Sequence, residues 1–297
     1  MNQRDFIASL SKAQRLHFAK KSNRAGLKRL VQQWSLIVVL MILVLQVSPL
    51  LQKLALMLPL GILLVFQFTL LHETSHRTPF KSRRLNDVVG HICGFILLLP
   101  PEWFRLFHME HHRHTNNPEA DPELAGAKPT SRRQYLWHIT GLPVWWSSIK
   151  TLWQNAFDVI DAAYITEGKA ADVQREARIY LGLYALAIVL IALGNTVLLM
   201  IWVIPVLLGQ PFLRLYLLAE HAGCSHSKNL FENTRTTYTN GFVRWLAWNM
   251  PYHAEHHIYP AVPFFKLQEV NELIKSDLFV TSRGYTSFNQ AYWKGIQ

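Results

Sequence analysis

Three short histidine-rich stretches and one isolated histidine are the residues of this sequence best suited to chemistry. The stretches read HETSH at 72–76, HMEHH at 108–112 and HAEHH at 253–257, and the isolated residue lies in LAEHAG. Imidazole binds iron, zinc, copper and nickel alike, so these residues predict a transition-metal site without naming the metal. Together they offer nine candidate ligands: His72, His76, His108, His111, His112, His221, His253, His256 and His257.

Helical spacing allows each stretch to present several imidazoles to one volume. Residues three and four positions apart share a face of a helix, and this relation occurs in all three stretches. Adjacent residues such as His256 and His257 point about 100° apart on a helix, so such a pair is suited to two different ions or to two sides of one cluster. Because a structural zinc ion takes four ligands and a catalytic one three, nine imidazoles indicate a dinuclear site.

The elements that must position these histidines are predicted to be membrane helices. Of the 297 residues, 50% are hydrophobic and 16% are charged, and the charged share is below that of soluble domains. Segments 36–71 and 179–219 are each about twice the roughly 20 residues that cross a bilayer. Each therefore predicts a helical hairpin, divided at 52–53 in the first segment and near 194–195 in the second.

Basic residues set the predicted orientation. They are abundant in 1–33 and 77–84, whereas the two hairpin turns carry only Lys53. The positive-inside rule then places both chain ends and the metal site on the cytoplasmic side. We therefore predict an all-α, multi-pass integral membrane protein with two transmembrane helical hairpins, four spans in total, capped by a cytoplasmic helical metal-binding region. Anionic lipid headgroups explain the net charge of +11, so no nucleic acid partner is predicted.

Three regions follow from this pattern. Residues 1–33 are predicted to form a basic cytoplasmic or interfacial segment, 34–273 the integral-membrane domain and 274–297 a cytoplasmic tail. Within the domain, 92–107 is apolar but broken by two prolines, which predicts an interfacial or re-entrant piece. The tryptophan-rich stretch 135–157 is expected to lie at the membrane interface.

Other interpretations of the histidines predict other proteins. HETSH alone matches the H-E-x-x-H pattern of zinc proteases, but a protease needs only three or four ligands. A metal transporter or sensor would carry its polar groups at mid-membrane depth, whereas these histidines lie outside the predicted spans. The five histidines outside the candidate ligand set are interpreted as surface or hydrogen-bonded residues: His17, His91, His114, His138 and His226.

The order HETSH, HMEHH, HAEHH around two hydrophobic hairpins resembles the membrane-bound fatty acid desaturase family. The stretch NMPYHAEHHIYPAVPFFKL at 249–267 looks like its acyl-lipid branch, and the resemblance extends from about Trp34 to about Leu273. It implies a non-haem centre of two iron ions held by the nine histidines. It also implies that O₂ is a co-substrate and that two hydrogens leave adjacent carbons of a long acyl chain.

The resemblance also bears on partners and location. It implies a lipid or acyl-chain substrate and a membrane setting, here expected to be a bacterial inner membrane. With only Cys93 and Cys224, and no spare stretch for a haem or iron–sulfur domain, electrons are expected from a separate donor of the ferredoxin or cytochrome type. The basic cluster 77–84 offers that donor a docking face.

The three histidine-rich stretches of the family do not specify the reaction. Hydroxylases and ketolases share them, so a di-iron hydroxylase, ketolase or alkene-forming enzyme on a lipid-like substrate is an alternative. A desaturase of a small amphiphilic metabolite is another.

Residues near the candidate ligands are expected to support them. Arg214, seven residues before His221, is a charge at membrane depth that either function or snorkelling to the interface explains. Pro251 is expected in the first turn of the last histidine helix and Pro260 at its end. Carboxylates beside ligating imidazoles commonly orient them, and the candidates are Glu73, Glu110, Glu220, Glu255, Asp87 and Asp121.

Overall fold

The structure, a computed structural model, describes residues 1–158 and 160–297, and helices dominate it. The helices are, in chain order, α1 (Gln3–Ser9), α2 (Lys12–Phe18), α3 (Asn23–Gln46), α4 (Leu50–Val65), α5 (Gln67–Ser75), α6 (Arg83–Leu97), α7 (Pro101–His114), α8 (Arg132–Ile139), α9 (Leu142–Phe157), α10 (Glu167–Ala192), α11 (Ile204–His221), α12 (Leu230–Asn233), α13 (Gly241–Leu246), α14 (His253–Ile258), α15 (Leu267–Ile274) and α16 (Tyr285–Gly295). Short 3₁₀ turns occupy Pro122–Ala125 and Phe264–Lys266, and a π-helical turn, Leu199–Val203, leads into α11.

Two short strands depart from the predicted all-α fold. Strand β1 (Thr236–Tyr238) pairs in parallel with β2 (Thr281–Arg283), with Thr236 opposite Thr281. The pair joins the segment between α12 and α13 to the chain beyond α15. The fold is therefore nearly all-α rather than wholly so.

The first predicted hairpin exists, but its turn lies earlier than the sequence indicates. Helix α3 ends at Gln46 and α4 begins at Leu50, so the chain turns at 47–49 and Lys53 lies within α4. Pro49 precedes the first residue of α4, where its missing N–H costs no helical hydrogen bond. The predicted boundary between residues 33 and 34 falls inside α3.

Backbone-to-backbone packing joins α4 to α11. A Cβ on Gly61 would collide with the carbonyl of Pro205, and one on Gly209 would collide with the backbone of Gly61. Small residues allow membrane helices to approach this closely, and close packing replaces the hydrophobic effect that lipid removes. Since α5 continues from α4 to His72, and α11 ends at His221, this contact sets the separation of two histidine-bearing helix ends.

The segment predicted to be re-entrant is a sharply bent helix pair. Helices α6 and α7 meet at an angle of 93° across a short break. Leu98 at the end of α6 has a left-handed backbone (φ 58°), and Pro101 begins α7. A proline suits the first turn of a helix but not its interior, which explains why the apolar run breaks here.

Among the residues that the structure describes, three helical segments are long and apolar enough to cross a membrane: Lys12–Gln46, Leu50–Ser75 and Leu199–His221. The bent pair α6–α7 makes a fourth if it counts as one span. Helix α10, the first half of the second predicted hairpin, is not among them. Its N-terminal half carries Arg175, Glu176 and Arg178 close to its apolar run. The turn between α10 and α11 does lie at Gly194, as predicted, with a positive φ of 93°.

Candidate metal centre

All nine predicted ligands lie at or near helix ends. His72 is on α5, and His76 caps its C-terminus. Helix α7 carries the second stretch, α14 carries the third, and His221 is the last residue of α11. Helix α14 begins at His253, so Pro251 precedes the helix and does not lie in its first turn as predicted, whereas Pro260 follows its end as predicted.

The nine imidazoles converge in two adjacent groups. Ligand atoms of the first, the five-histidine group, all lie within 4.8 Å of one another: His72, His76, His108, His112 and His256. In the second group, the ligand atoms of three members also lie within 4.8 Å of one another: His111, His221 and His257. His253 completes this four-histidine group, because its Nε2 lies 3.1 Å from the Nε2 atoms of both His221 and His257.

Adjacent histidines go to different groups, as the helical spacing predicts. On α14, His256 belongs to the five-histidine group and His257 to the four-histidine group. On α7, His112 and His111 divide in the same way. The two groups touch, since the stacked rings of His112 and His257 have centroids 4.0 Å apart. On these two helices one face serves each group, so the second and third stretches contribute to both groups, whereas His72 and His76 of the first stretch both belong to the five-histidine group.

Hydrogen bonds fix the Nδ1 atoms of three members of the four-histidine group, whereas the buried Nδ1 of His253 makes none. His111 Nδ1 lies 2.9 Å from Asp121 Oδ1, and His221 Nδ1 lies 3.1 Å from the carbonyl oxygen of Asn233. His257 Nδ1 lies 3.1 Å from the Thr115 hydroxyl. Because carboxylate and carbonyl oxygens only accept, His111 and His221 carry their protons on Nδ1. This protonation leaves the Nε2 lone pairs free to bind metal.

The five-histidine group has far fewer such partners. The buried Nδ1 atoms of His108, His112 and His256 make no hydrogen bond, and neither ring nitrogen of His72 makes one. The Nε2 atom of His108 instead faces those of His76 and His112 at 2.8 and 3.0 Å. A buried polar atom without a partner costs about 1–3 kcal/mol.

These orphaned nitrogens test whether the residues fit metal ions. A neutral imidazole donates from only one nitrogen, so facing Nε2 atoms cannot all satisfy one another with protons. A cation accepts every lone pair at once. The donor set is all nitrogen, which suits iron, zinc, copper or nickel. Nine converging imidazoles therefore fit a pair of transition-metal ions.

Burial sets the protonation state of the imidazoles in the third histidine-rich stretch, HAEHH. Removal from water, together with neighbouring imidazoles, lowers the pKa values of His253, His256 and His257 well below the ordinary value. They are thus neutral at physiological pH, the form that binds metal. Burial acts to raise the pKa of Asp121, but its hydrogen bonds, from His111 above all, lower that pKa below its ordinary value. Asp121 is therefore a carboxylate.

The other predicted carboxylates differ in what they touch. Glu220 lies 3.5 Å from His253 Nδ1, and Glu73 lies 4.0 Å from His256 Nδ1. Glu110 contacts Arg113 and His114, and Asp87 contacts Arg77 and Arg83, so neither meets a predicted ligand in these contacts. Glu255 faces away, because it accepts from Thr236 and Asn271 and so ties α14 to β1 and α15.

The five histidines interpreted as ordinary residues belong to neither group. His17 contacts Glu269 at 2.7 Å, and His91 lies 3.4 Å from the Tyr180 hydroxyl. His226 lies 2.8 Å from the Asn116 carbonyl oxygen, and His114 lies 3.3 Å from Glu110. Only His138 has a buried ring nitrogen without a partner.

Sequence reasoning missed three partners of the imidazoles: Thr115, Asn233 and Glu123, whose Oε2 lies 3.7 Å from His111 Nδ1. Thr115 is the C-cap of α7, and its hydroxyl donates to the His111 carbonyl at 3.0 Å while it meets His257. Asn233 contributes only its backbone oxygen, which any residue type supplies. For Thr115 the available signal was its place directly after the second stretch. The residue type of Asn233 gave no signal, because only its backbone oxygen makes the contact.

A comparison with protein families gives one match, to the fatty acid desaturase family over residues 47–287. That range includes all nine histidines and most of the chain.

Individual relatives agree with that match but name different substrates. The chain is 26% identical over 270 residues to a dihydrorhizobitoxine desaturase of Bradyrhizobium elkanii, covering 80% of this chain and 72% of the relative. It is 27% identical over 229 residues to the sphingolipid delta(4)-desaturase DES1 of Drosophila melanogaster, covering 76% and 66%. A shorter alignment, 37% over 94 residues, matches an sn-1 oleoyl-lipid 12-desaturase of Synechocystis and covers 29% and 26%.

Proposed function

Because this chain belongs to the fatty acid desaturase family, we propose that it introduces a carbon–carbon double bond into the hydrocarbon chain of a lipid-like substrate. In this proposal two iron ions are held by the nine histidines, one by the five-histidine group and one by the four-histidine group. The observation that carries the proposal is the convergence of the imidazoles into two touching groups.

The balanced reaction states what the site must accomplish. Two neighbouring CH₂ groups lose one hydrogen each, and O₂ takes up those two hydrogens, two further protons and two electrons to give two molecules of water. No acid or base among the side chains attacks an unactivated C–H bond, so iron would supply the oxygen and one-electron chemistry. The protein supplies position, protonation and exclusion of water.

Named residues carry out these protein tasks. Asp121 and the Asn233 carbonyl hold the Nδ1 protons of His111 and His221, which aims each Nε2 inward. The rings of His253, His256 and His257 are buried, so bulk water is kept from the site. A dry site protects reactive oxygen chemistry from side reactions and strengthens local electrostatics.

The membrane topology proposed here has four crossings. Helices α5 and α11 both end at the histidine cluster, so the spans α4–α5 and α11 run in the same direction. The chain between them must therefore return to the opposite face, and α10 is the helix that precedes α11. Both termini and the metal centre then lie on the cytoplasmic side, as the basic residues favour.

Product analysis tests the reaction. We expect expression in a host with a simple lipid profile to give new double bonds, mapped by mass spectrometry, as a loss of two hydrogens. The gain of an oxygen atom would instead indicate a hydroxylase. His256→Ala should remove the product at an unchanged protein level, whereas His226→Ala, outside both groups, should retain it. Product from the first variant would contradict the site assignment.

The electron donor is proposed to dock on the basic cluster. Lys81, Arg83 and Arg84 are exposed, and Arg83 is near Asp87 at 3.8 Å. Charge reversal in Lys81→Glu and Arg84→Glu should slow turnover with a protein donor while metal content stays constant. Since association steered by charge weakens with salt, the wild type should show a salt dependence that the variant lacks. Unchanged turnover in the variant would exclude this docking face.

A further inference from the structure

Arg235 binds the end of the helix that carries His221. The last carbonyls of a helix have no partner within the helix itself. At the end of α11, the Arg235 guanidinium donates to the carbonyl of Ala219, and the Arg235 backbone N–H donates to the carbonyl of Glu220 at 2.9 Å. One residue from a later segment of the chain therefore satisfies two carbonyls in the last turn of α11.

The same segment orients the ring of His221. The backbone oxygen of Asn233 lies 3.1 Å from His221 Nδ1 and accepts its proton. Asn233 and Arg235 belong to one short stretch, so a displacement of Arg235 from the helix end would also move the Asn233 oxygen. Arg235 is thus placed to hold both the last turn of α11 and the acceptor that fixes the orientation of the His221 ring.

Arg235 is buried, with only 7% of its surface exposed, and two features of its surroundings accommodate the charge. The C-terminus of a helix carries a partial negative charge, which stabilises a cation placed there. The guanidinium also lies over the ring of Phe288 on α16, 4.6 Å from the ring centroid. An aromatic face attracts a cation, and the attraction is stronger where water is excluded. Phe288 thereby holds the guanidinium near the end of α11.

Helix α16, which carries Phe288, is itself anchored to α11. Asn289 Nδ2 donates to the carbonyl of Leu215 at 3.1 Å, and the Tyr135 hydroxyl on α8 donates to Asn289 Oδ1 at 2.9 Å. These two hydrogen bonds set the position of the neighbouring Phe288 relative to α11. Phe288 lies just beyond residue 287, where the family match ends, so this contact involves a part of the chain that the match does not cover.

We propose that Arg235 is a positioning residue that holds His221 in the geometry that the four-histidine group needs, and that Phe288 keeps Arg235 in place. The inference rests on the proposed function only in that His221 binds a metal ion. Ala219 is fully buried, so without the guanidinium its carbonyl would lose its partner and the last turn of α11 would loosen. Because tight metal binding needs ligands that are held closely, the loss should appear in the metal affinity of the four-histidine group.

Cobalt(II) binding to a full-length His72→Ala/His256→Ala protein tests the proposal, because in this first background only the four-histidine group is complete. The titration gives the affinity, and the visible absorption of bound cobalt reports the arrangement of its ligands. Adding Arg235→Met should weaken binding by about tenfold or more and change the spectrum, as the loss of a residue that supports a ligand does. Arg235→Lys keeps the charge at the helix end but not the planar guanidinium, so it should restore part of the affinity.

Helix α16 offers a matched pair of substitutions in that background. Phe288→Leu removes the aromatic face but keeps an apolar side chain, so cobalt affinity should fall by about threefold, and Phe288→Tyr should restore it. Trp293, also on α16, has the Arg132 guanidinium over its ring, 5.4 Å from the centroid. That pair joins α16 to α8 and not to the end of α11, so Trp293→Leu should leave cobalt binding unchanged.

A second background separates positioning from general stability. In a His253→Ala/His257→Ala protein only the five-histidine group is complete, and Arg235→Met should leave its cobalt affinity unchanged. Equal losses of affinity in the two backgrounds show a purely structural role and overturn the inference. A lower unfolding temperature with unchanged cobalt affinity and spectrum in the first background overturns it as well.

The remaining outcomes are also decisive. Unchanged cobalt binding in Phe288→Leu overturns the inference, even if every Arg235 variant fails to fold. If the first background binds no cobalt at all, the proposed metal centre fails and the inference fails with it. If Arg235→Met has the expected effect but the wild type forms no double bond, the proposed reaction fails and the positioning role of Arg235 remains.

Discussion

The five-histidine group and the four-histidine group use the same side chain in different surroundings. In the four-histidine group, Asp121, the Asn233 carbonyl and the Thr115 hydroxyl each meet an Nδ1 atom. In the five-histidine group, four Nδ1 atoms are buried without a partner, on His72, His108, His112 and His256. Partners of this kind fix ring orientation and raise ligand basicity. The protein therefore orients most rings of the four-histidine group, in which His253 Nδ1 alone lacks a partner, whereas few hydrogen bonds orient the rings of the five-histidine group.

The largest expected effect comes from removing one ligand of each group. His256→Ala should lose the ion of the five-histidine group and His257→Ala that of the four-histidine group. Metal analysis should then fall from about two ions per chain to about one in each variant, because four or five imidazoles serve each ion. The double variant should retain none. If the double variant keeps as much metal as either single variant, the two groups form one site and the comparison fails.

A second prediction concerns the carboxylates beside each group. Asp121→Asn keeps an acceptor for His111 but removes the charge, so the affinity of the four-histidine group should fall by about 10- to 100-fold. Glu73→Gln should change metal affinity by less than about tenfold, because its carboxylate is 4.0 Å from His256 Nδ1. Metal release to a chelator, followed over time, measures both.

Asp87→Asn is the matched control for those two substitutions. Asp87 is paired with Arg77 and Arg83 and touches no predicted ligand, so its release curve should match the wild type. Equal sensitivity of Asp121 and Glu73 would show that the two groups are supported alike.

Much of the site follows from residue spacing because helix geometry is local. The division of His111 from His112, and of His256 from His257, needs only about 100° between neighbours on a helix. The helix bend at Pro101 follows from proline chemistry in the same way. These features depend on a few adjacent residues, so the sequence alone predicts them.

Other features depend on contacts between distant segments. The sequence predicts the first turn at 52–53, where polar residues interrupt the apolar run. The chain instead turns at 47–49, because α4 begins at Leu50 and includes Lys53. Asn233 reaches His221 through a backbone oxygen, which leaves no trace in residue type. The parallel pairing of Thr236 with Thr281 joins segments 45 positions apart, and three-residue strands carry too little periodicity to predict.

The smallest expected effect tests the neutral partner in the four-histidine group. Thr115→Val keeps the shape of the side chain but leaves His257 Nδ1 without an acceptor, which costs about 1–3 kcal/mol. Since 1.4 kcal/mol is a factor of ten, metal affinity should fall by about tenfold. This loss lies at the lower end of the range expected when the charged partner Asp121 is replaced. Thr115→Ser restores the hydroxyl and should restore the affinity. An effect of valine on protein stability alone, with metal affinity unchanged, would show that the Thr115 hydroxyl caps α7 without supporting the ligand.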